Sequence, residues 1–321
     1  MVKILENYSN MRLGFGGASI SGEGGGYGFG DITENDAISL LQQAADLGIK
    51  VFDTAPIYGF SLSEKRMGKA FKNNRDKIFL TSKSGVSWHS TKRVNMTNDP
   101  KETEKMLHQS LKDLQTEYID LFMIHWPDKN VDIRKPMEVL SKAKSQGKIK
   151  HIGLCNTFEE DCDKAMEIDS IDVVQCQLNL FEREVVERLF PYLDKHQISF
   201  MSWGTLDKGI LTKRVDEKRE YDKSDCRSWA PWWKQADQSY KYQALKKIWP
   251  LIEEHGHTPL ELALGFNLSH KQVSTVLCGA RNPKQLEGLL KAMNNLPDQE
   301  LLDEVLEQVL INEKLIAESD K

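Results

Sequence analysis

The stretch that decides the fold is Leu121–Leu154, LFMIHWPDKNVDIRKPMEVLSKAKSQGKIKHIGL. Two apolar runs, Leu121–His125 and His151–Leu154, stand on either side of a segment with helical spacing, Arg134–Ser145. Strands that are apolar throughout are typical of parallel sheets, in which a helix carries the chain back to the start of the next strand. The stretch therefore predicts a parallel strand–helix–strand unit.

The same alternation extends over the rest of the chain. The runs predicted as strands are Leu13–Gly17, Lys50–Asp53, Ile78–Thr81, Leu121–His125, His151–Leu154, Val173–Gln177, Ser199–Ser202 and Thr275–Cys278. The segments predicted as helices are Glu34–Leu47, Ser63–Phe71, Pro100–Leu114, Arg134–Ser145, Phe158–Ile168, Arg183–Lys195, Tyr240–His255, Pro259–Leu268 and Pro283–Met293. Eight such units favour a closed (β/α)8 TIM barrel over an open doubly wound sheet. We expect residues 1–321 to form a single α/β domain.

Three segments fall outside this repeat. Ser21–Gly30 is rich in glycine but lacks the spacing of a phosphate-binding loop, so it is interpreted as a flexible loop. Residues 211–239 form a long, charged and aromatic segment whose role the sequence leaves open. The acidic tail has apolar residues spaced for one helix face, and this C-terminal helix is expected to pack on the barrel exterior: Leu302, Val305, Leu306, Val309 and Leu310.

Composition excludes several classes of protein. The 43 basic and 48 acidic residues are mixed along the chain, which argues against nucleic acid as a main partner. Five cysteines without a CxxC pair favour reduced thiols in the cytoplasm. The N-terminal residues do not resemble a signal peptide, and no apolar run is long enough for a membrane span. His255 and His257 are the one close histidine pair and lack an obvious third ligand, so we expect no metal site.

Four ionisable residues follow the ends of adjacent predicted strands. Asp53, Lys83 and His125 close the second, third and fourth strands, and Tyr58 lies in the loop after Asp53. Taken singly, each has an ordinary structural explanation. An aspartate at a strand end often caps a helix, a lysine is usually solvated, and a histidine is often a hydrogen-bonded core residue. Because functional groups of a (β/α)8 barrel collect at the carboxyl ends of its strands, we expect the four to converge on one pocket.

This combination of side chains suits proton donation to a carbonyl oxygen. A phenol has an ordinary pKa near 10, and a neighbouring ammonium favours its ionised form and lowers that pKa. The Asp53 carboxylate would keep the Lys83 ammonium charged and in place, and a neutral His125 imidazole would orient the carbonyl. The residues therefore predict a catalytic site with Tyr58 as the proton donor.

Three longer motifs at these positions carry a family resemblance. Phe52–Gly59 (FDTAPIYG), Thr81–Lys83 (TSK) and Ile124–Asp128 (IHWPD) resemble the signature regions of the aldo-keto reductase superfamily, and the similarity extends from Leu13 to Gln285. The resemblance implies reduction of an aldehyde, ketone or sugar, or the reverse oxidation. It implies NADPH as the cofactor in preference to NADH. It also implies that Tyr58 is the general acid.

The resemblance further implies how the cofactor is held. Asn156 and Gln175 match residues that bind the nicotinamide carboxamide, and Trp203 matches an aromatic residue that stacks on the ring. The residues expected along the phosphates and adenine are Gly204, Thr205, Leu206, Gly279, Arg281 and Gln285. This chain departs from the family pattern at Cys155, where serine is usual, at Gly204-Thr205, where Ser-Pro is usual, and at Leu289, where asparagine is usual.

The identity of the substrate is open at this stage. Aromatic residues in the predicted loops can line the pocket, against a sugar ring or an apolar aldehyde, or can equally pack the loops onto the barrel: Tyr27, Phe29, Trp88, Trp126 and Trp229–Trp233, with Trp232 as the residue to test. Protein partners are not predicted. Two other functions are kept: a redox-sensing subunit, as in the potassium-channel β subunits that resemble this family, and an isomerase or lyase with a Schiff base on Lys83.

Overall fold

Eight parallel strands close into a barrel in the computed structural model, which describes residues 4–9 and 11–319. The barrel strands are β1 (Leu13–Gly16), β2 (Val51–Asp53), β3 (Phe79–Ser84), β6 (Ile119–Ile124), β7 (Ile149–Cys155), β8 (Val173–Gln177), β9 (Ser199–Trp203) and β10 (Val273–Cys278). Their order around the barrel is β1-β10-β9-β8-β7-β6-β3-β2, and every neighbouring pair is parallel. The predicted (β/α)8 barrel is confirmed.

Helices lie at the predicted positions, and two short helices, α1 and α9, were not predicted. They are α1 (Ile4–Tyr8), α2 (Glu34–Asp46), α3 (Leu62–Phe71), α4 (Pro100–Asp113), α5 (Arg134–Ser145), α6 (Glu159–Met166), α7 (Glu184–Arg188), α8 (Phe190–His196), α9 (Pro231–Lys234), α10 (Ser239–Glu254), α11 (Pro259–Ser269), α12 (Pro283–Ala292) and α13 (Gln299–Ser319). The single helix predicted over Arg183–Lys195 is wrong, because the chain forms α7 and α8 there. Pro191, which lacks an N–H and disfavours helical geometry in the residue before it, lies at the start of α8.

A short antiparallel hairpin follows β3 and was not predicted. Its strands are β4 (Val86–Trp88) and β5 (Val94–Met96), and Trp88 pairs with Val94. Each strand has three residues, which is too short for a period-two pattern to appear in the sequence. The hairpin places Trp88 beside the end of β3.

The interior of the barrel shows why polar residues gather at one end. The inward-facing apolar side chains, together with Leu5 of α1, form one buried cluster: Val51, Phe79, Leu121, Met123, Val173, Met201 and Leu277. Alternate residues of a strand face the same side, so inward positions nearer the carboxyl ends carry polar or amphipathic groups. These positions are Asp53, Lys83, His125, Gln175 and Trp203.

The glycine-rich loop, Ser21–Gly30, was expected to be flexible. In the structure it packs closely against other backbone segments. A Cβ at Gly26 would lie 2.6 Å from the backbone of Gly59, and the Gly59 N–H donates to the Gly26 carbonyl at 2.7 Å. A Cβ at Gly24 would collide with the backbone of Lys223 and Ser224. The glycines therefore permit the close approach of three chain segments.

The C-terminal helix α13 packs on the barrel exterior as predicted. Leu302, Val305 and Val309 are buried, and α13 lies mainly against α10. Leu310 is 42% exposed, so its place in the predicted packing face is wrong. Among the described residues, no helix is long and apolar enough to cross a membrane.

A buried carboxylate on β6 gives a test of the fold. Asp120 accepts hydrogen bonds from Arg75 at 2.6 Å, from the Leu80 N–H at 3.0 Å and from Lys150 at 3.0 Å. Asp120→Ala removes the carboxylate partner of two cations and leaves a buried N–H unpaired, so we expect the free energy of unfolding to fall by about 3 kcal/mol in urea denaturation. Glu102→Ala, which breaks an exposed pair with Lys105, should cost less than about 1 kcal/mol. Equal losses in the two variants would contradict this prediction.

Candidate active site

A buried ion pair lies at the centre of the barrel mouth. The Lys83 ammonium has no solvent exposure and donates to Asp53 Oδ1 at 2.7 Å, Asp53 Oδ2 at 2.8 Å and the Thr54 carbonyl at 2.9 Å. Burial disfavours the charged ammonium, but the charge and hydrogen bonds of Asp53 outweigh that cost and raise the pKa of Lys83. Lys83 is therefore protonated and held in one direction.

The phenol of Tyr58 lies beside this pair. The centre of its ring is 5.4 Å from Lys83 Nζ and 6.0 Å from the centre of the His125 ring, which stands nearly perpendicular to it. Burial raises the pKa of Tyr58 to about 12, and the opposing charge of Lys83 only reduces that rise. The expected lowering of this pKa below its ordinary value is wrong, since the sequence indicates the lysine but not the loss of solvent around the phenol.

The imidazole of His125 is held in its neutral form. Burial, assisted by the charge of Lys83, lowers the pKa of His125 well below its usual value of 6.5. Its ring lies against Trp126, with 6.4 Å between ring centres. A neutral imidazole donates through one ring nitrogen only, so it can hydrogen-bond a carbonyl oxygen without carrying charge into the site.

The residues expected to bind the nicotinamide form one hydrogen-bonded network with the ion pair. Gln175 Nε2 donates to Asp53 Oδ1 at 2.8 Å, and the Cys155 thiol donates to Gln175 Oε1 at 3.4 Å. Asn156 Nδ2 donates to the His125 carbonyl at 2.9 Å, and the Trp203 indole donates to Asn156 Oδ1 at 3.0 Å. The family resemblance indicates only that Cys155 replaces a usual serine. The hydrogen bond from its thiol to Gln175 was not predicted.

Arg281 marks the other end of the candidate site. It is half-buried, and its guanidinium lies so close to Gly30 that a Cβ there would collide with it. Burial lowers the pKa of Arg281, while the nearby carboxylate of Asp225 acts in the opposite direction. Gln285, expected near the adenine, accepts a hydrogen bond from the Arg281 N–H at 2.8 Å and so fixes the backbone there.

The loop after β9 is anchored by a second buried ion pair. Gly204, Thr205 and Leu206 lead into Asp207, whose carboxylate accepts a hydrogen bond from Lys241 of α10 at 2.7 Å. Both side chains are buried. The loop expected along the pyrophosphate is therefore held against α10, the helix that begins where the 211–239 segment ends. Leu289, a departure from the family pattern, is buried in the main hydrophobic core.

The long segment reaches across to the glycine-rich loop. The Cys226 N–H donates to the Gly28 carbonyl at 2.8 Å, and the Trp229 indole donates to the Gly24 carbonyl at 3.1 Å. Since β9 and β1 are separated by β10, this connection passes the loop after β10 that carries Arg281. The structure therefore gives the long segment a position that the sequence left open.

The aromatic residues proposed for the pocket do not all meet. Trp88 packs on Phe60 and Tyr27 lies against Trp229, and Trp88 and Tyr27 belong to the cluster around Tyr58. Trp126 is 40% exposed beside His125. Trp232 is also exposed, but its ring faces Lys208 of the loop after β9, so no described contact brings it to the catalytic group. Phe29 lies under the Arg227 guanidinium.

Gln177 is a candidate that the sequence reasoning missed. It lies two residues after Gln175, on the same inward face of β8, and period-two spacing from Gln175 could have indicated it. Its Nε2 is buried and finds no acceptor within the part of the chain that the structure describes. A Cβ at Gly204 would touch its side chain at 3.0 Å, so this unused donor lies beside the loop after β9.

This donor set fits a nicotinamide dinucleotide. Amides of Asn156 and Gln175 adjoin the catalytic end, the unused Gln177 N–H adjoins the loop after β9, and Arg281 supplies a cation at the far end. Amide partners suit a carboxamide ring, and a guanidinium suits a phosphate. Among residues 4–9 and 11–319, no group of three side chains could hold a metal ion.

Comparison with known proteins places the chain in a family. Residues 12–307 match the model of the aldo/keto reductase family, and the chain belongs to that family. Its members are NAD(P)H-dependent oxidoreductases that act on carbonyl and alcohol groups, so this chain is an oxidoreductase of the same kind.

Three similar proteins illustrate the range of this family. The aldo-keto reductase YhdN of Bacillus subtilis is 32% identical over 305 residues, covering 93% of this chain and 91% of YhdN. The NADH-specific methylglyoxal reductase of Escherichia coli is 27% identical over 89% of this chain and 91% of its own. The structure of the glycerol dehydrogenase AKR11B4 from Gluconobacter oxydans is similar with a TM-score of 0.79, at 29% identity, covering 93% of this chain and 91% of that one.

The lowered pKa of His125 gives a prediction on pH. We expect the His125 ring signals in an NMR titration, identified by their loss in His125→Gln, to show no midpoint near the usual 6.5. The unfolded chain binds this proton more readily than the folded one, so His125 makes the protein less stable as pH falls through its unfolded value. Acidification should therefore destabilise the parent more than His125→Gln. A midpoint near 6.5 would contradict the neutral assignment.

Proposed function

We propose that the protein catalyses NADPH-dependent reduction of an aldehyde or ketone, or the reverse oxidation of an alcohol or sugar, with Tyr58 as general acid. The observation that carries this proposal is the Lys83–Asp53 ion pair beside the phenol and the neutral imidazole. A protonated phenol and a neutral imidazole donor are what a developing alkoxide needs on its oxygen side.

Each catalytic side chain has a separate task in this proposal. Bound nicotinamide supplies the hydride for the carbonyl carbon. Tyr58 transfers its O–H proton to the carbonyl oxygen, and the Lys83 ammonium stabilises the phenolate that remains. Asp53 keeps Lys83 charged and pointing into the site. His125 donates a hydrogen bond to the same oxygen and thereby orients the carbonyl.

The raised pKa of Tyr58 is compatible with this task. With a pKa of about 12 the phenol is protonated at neutral pH, so it is available as a donor without a preceding protonation step. Its conjugate base would be costly in a buried site, and Lys83 offsets that cost at the moment the proton leaves. The same ammonium would assist ionisation of Tyr58 in the oxidation direction.

Support for NADPH comes from Arg281. A half-buried guanidinium with limited solvent screening interacts strongly with a phosphate, which only the phosphorylated cofactor carries on its adenosine ribose. The methylglyoxal reductase of Escherichia coli is NADH-specific, so membership of the family does not decide the cofactor. The preference for NADPH rests on this one side chain.

The Schiff-base alternative is disfavoured by the state of Lys83. A lysine must be neutral to attack a carbonyl, whereas Lys83 has a raised pKa and directs its ammonium to three oxygen atoms. The redox-sensing alternative requires slow turnover with tight cofactor binding.

Five free and buried cysteines are compatible with the proposed cytoplasmic location.

The test of the function is a panel of small aldehydes, ketones, alcohols and sugars with each of NADPH, NADH, NADP and NAD. Turnover is followed at the nicotinamide absorbance. We expect carbonyl reduction with NADPH above that with NADH. Slow turnover of every compound, together with tight cofactor binding, would support the redox sensor and contradict the proposed function.

Tyr58→Phe tests the proton donor. Removing the hydroxyl leaves the cofactor contacts in place, so we expect kcat to fall by about a hundred-fold or more while the Kd for NADPH stays within about two-fold. Cofactor binding is measured by fluorescence titration. Tyr8→Phe, which changes an exposed tyrosine on α1, serves as the control. A Tyr58→Phe variant with parental kcat would refute the assignment.

Arg281→Ala tests the cofactor preference. Loss of the guanidinium should raise the Kd for NADPH by about ten-fold or more and leave the Kd for NADH nearly unchanged, because only NADPH has the extra phosphate. Lys291→Ala removes an exposed positive charge from the last turn of α12, the helix that follows Arg281, and should alter neither constant. Equal weakening of the two cofactors by Arg281→Ala would remove the phosphate role.

A further inference from the structure

Gln175 makes a contact that its expected role in cofactor binding does not explain. Its Nε2 donates to Asp53 Oδ1 at 2.8 Å, and both side chains are buried. We propose that Gln175 is a positioning residue of the proton-donating group, which orients Asp53 toward Lys83 by a hydrogen bond across the barrel mouth. This inference rests on the proposed function, because it concerns how the Tyr58 proton is controlled.

The geometry of the carboxylate shows what Gln175 adds. Lys83 reaches both oxygens of Asp53 from β3, at 2.7 and 2.8 Å, and Gln175 adds a second donor to Oδ1 from β8. In the barrel order, β8 lies opposite β2, which carries Asp53. Donors from two sides fix the plane of the Asp53 carboxylate. With Lys83 as the one side-chain donor, the carboxylate plane could rotate while both contacts to the ammonium are kept.

The orientation of the Gln175 amide is itself determined. The Cys155 thiol donates to Gln175 Oε1 at 3.4 Å, which leaves Nε2 for Asp53. A flipped amide would direct its oxygen at the carboxylate, where two acceptors repel, and its N–H at the thiol. The chain of donors therefore runs from Cys155 through Gln175 to Asp53, where it meets Lys83.

The consequence for Tyr58 follows from the titratable groups that face it. These are Lys83 from β3, Asp53 from β2, Cys155 from β7 and His125 from β6. Burial is the main cause of the raised pKa of Tyr58; of the two charges, that of Lys83 lowers this pKa and that of Asp53 raises it. An N–H on Asp53 offsets part of the negative charge, so loss of Gln175 should raise the pKa of Tyr58 and make proton transfer harder.

The first experiment compares two substitutions at one position. Gln175→Met keeps the volume but removes the donor, and we expect kcat for reduction to fall about ten-fold, with the alkaline limb of its pH profile moved upward. Gln175→Glu can donate an O–H to Asp53 only while the new carboxyl group is protonated. Its kcat should approach the parental value at acid pH and fall as that group ionises.

Asn156→Gly is the matched control, because it removes the neighbouring amide without touching Asp53 and suits the left-handed backbone at this residue, where φ is 55°. It should raise the Kd for NADPH and leave the pH profile unmoved. If Gln175→Met behaves in the same way, Gln175 acts on the cofactor alone and the proposal is overturned.

A double-mutant cycle then tests whether Gln175 acts through Asp53. Gln175→Met should reduce single-turnover rates in the parent but have little further effect in Asp53→Asn. Additive losses would overturn the proposal.

The failure of the proposed function is detected separately. If no carbonyl is turned over, the Gln175 side-chain amide signals, assigned by their loss in Gln175→Met, still decide the inference by NMR. They should shift in Asp53→Asn and remain in place in Tyr58→Phe. If the Gln175 amide signals do not shift in Asp53→Asn, the proposal is overturned, whether or not any activity is detected.

Discussion

The candidate site depends on a charged lysine with no solvent exposure, Lys83, and on the carboxylate that makes its burial possible. A buried ammonium is tolerated only when its donors are satisfied and its charge is balanced. The parallel register supplies this, since Asp53 pairs with Thr81 of β3, two residues before Lys83, and the two side chains face the same interior. The direct pairing of β2 with β3 is therefore what brings the two charges together.

Strand periodicity is the part of the site that the sequence predicts well. Buried parallel strands appear as continuous apolar runs, and a polar residue where such a run ends is conspicuous, as with Asp53 after Val51 and Phe52. The rule that carboxyl ends share one face of the barrel then brings Lys83 and His125 to the same pocket. Neither step requires knowledge of side-chain packing.

What the sequence did not predict depends on contacts between distant residues. The bond from Gln175 to Asp53 joins residues 122 positions apart, and its existence depends on how the strands close. The position of residues 211–239 depends on backbone contacts with Gly24 and Gly28, which composition cannot indicate. The predicted lowering of the Tyr58 pKa is wrong because the shift is a balance between burial and charge. Only the charge can be identified from residue types.

The two ends of the site differ in how their side chains are bound. At the catalytic end, Asp53, Lys83 and Gln175 are buried and make their hydrogen bonds to one another, so each substitution leaves a charge or a donor unmatched in a medium of low polarity. At the other end, Arg281 is half-buried, and water screens part of its charge. A change there leaves less unmatched charge inside the protein. In the proposed mechanism, the geometry around Tyr58 is therefore the more rigid constraint on this barrel, and the proposed contact of Arg281 with the adenosine phosphate is the one that can vary.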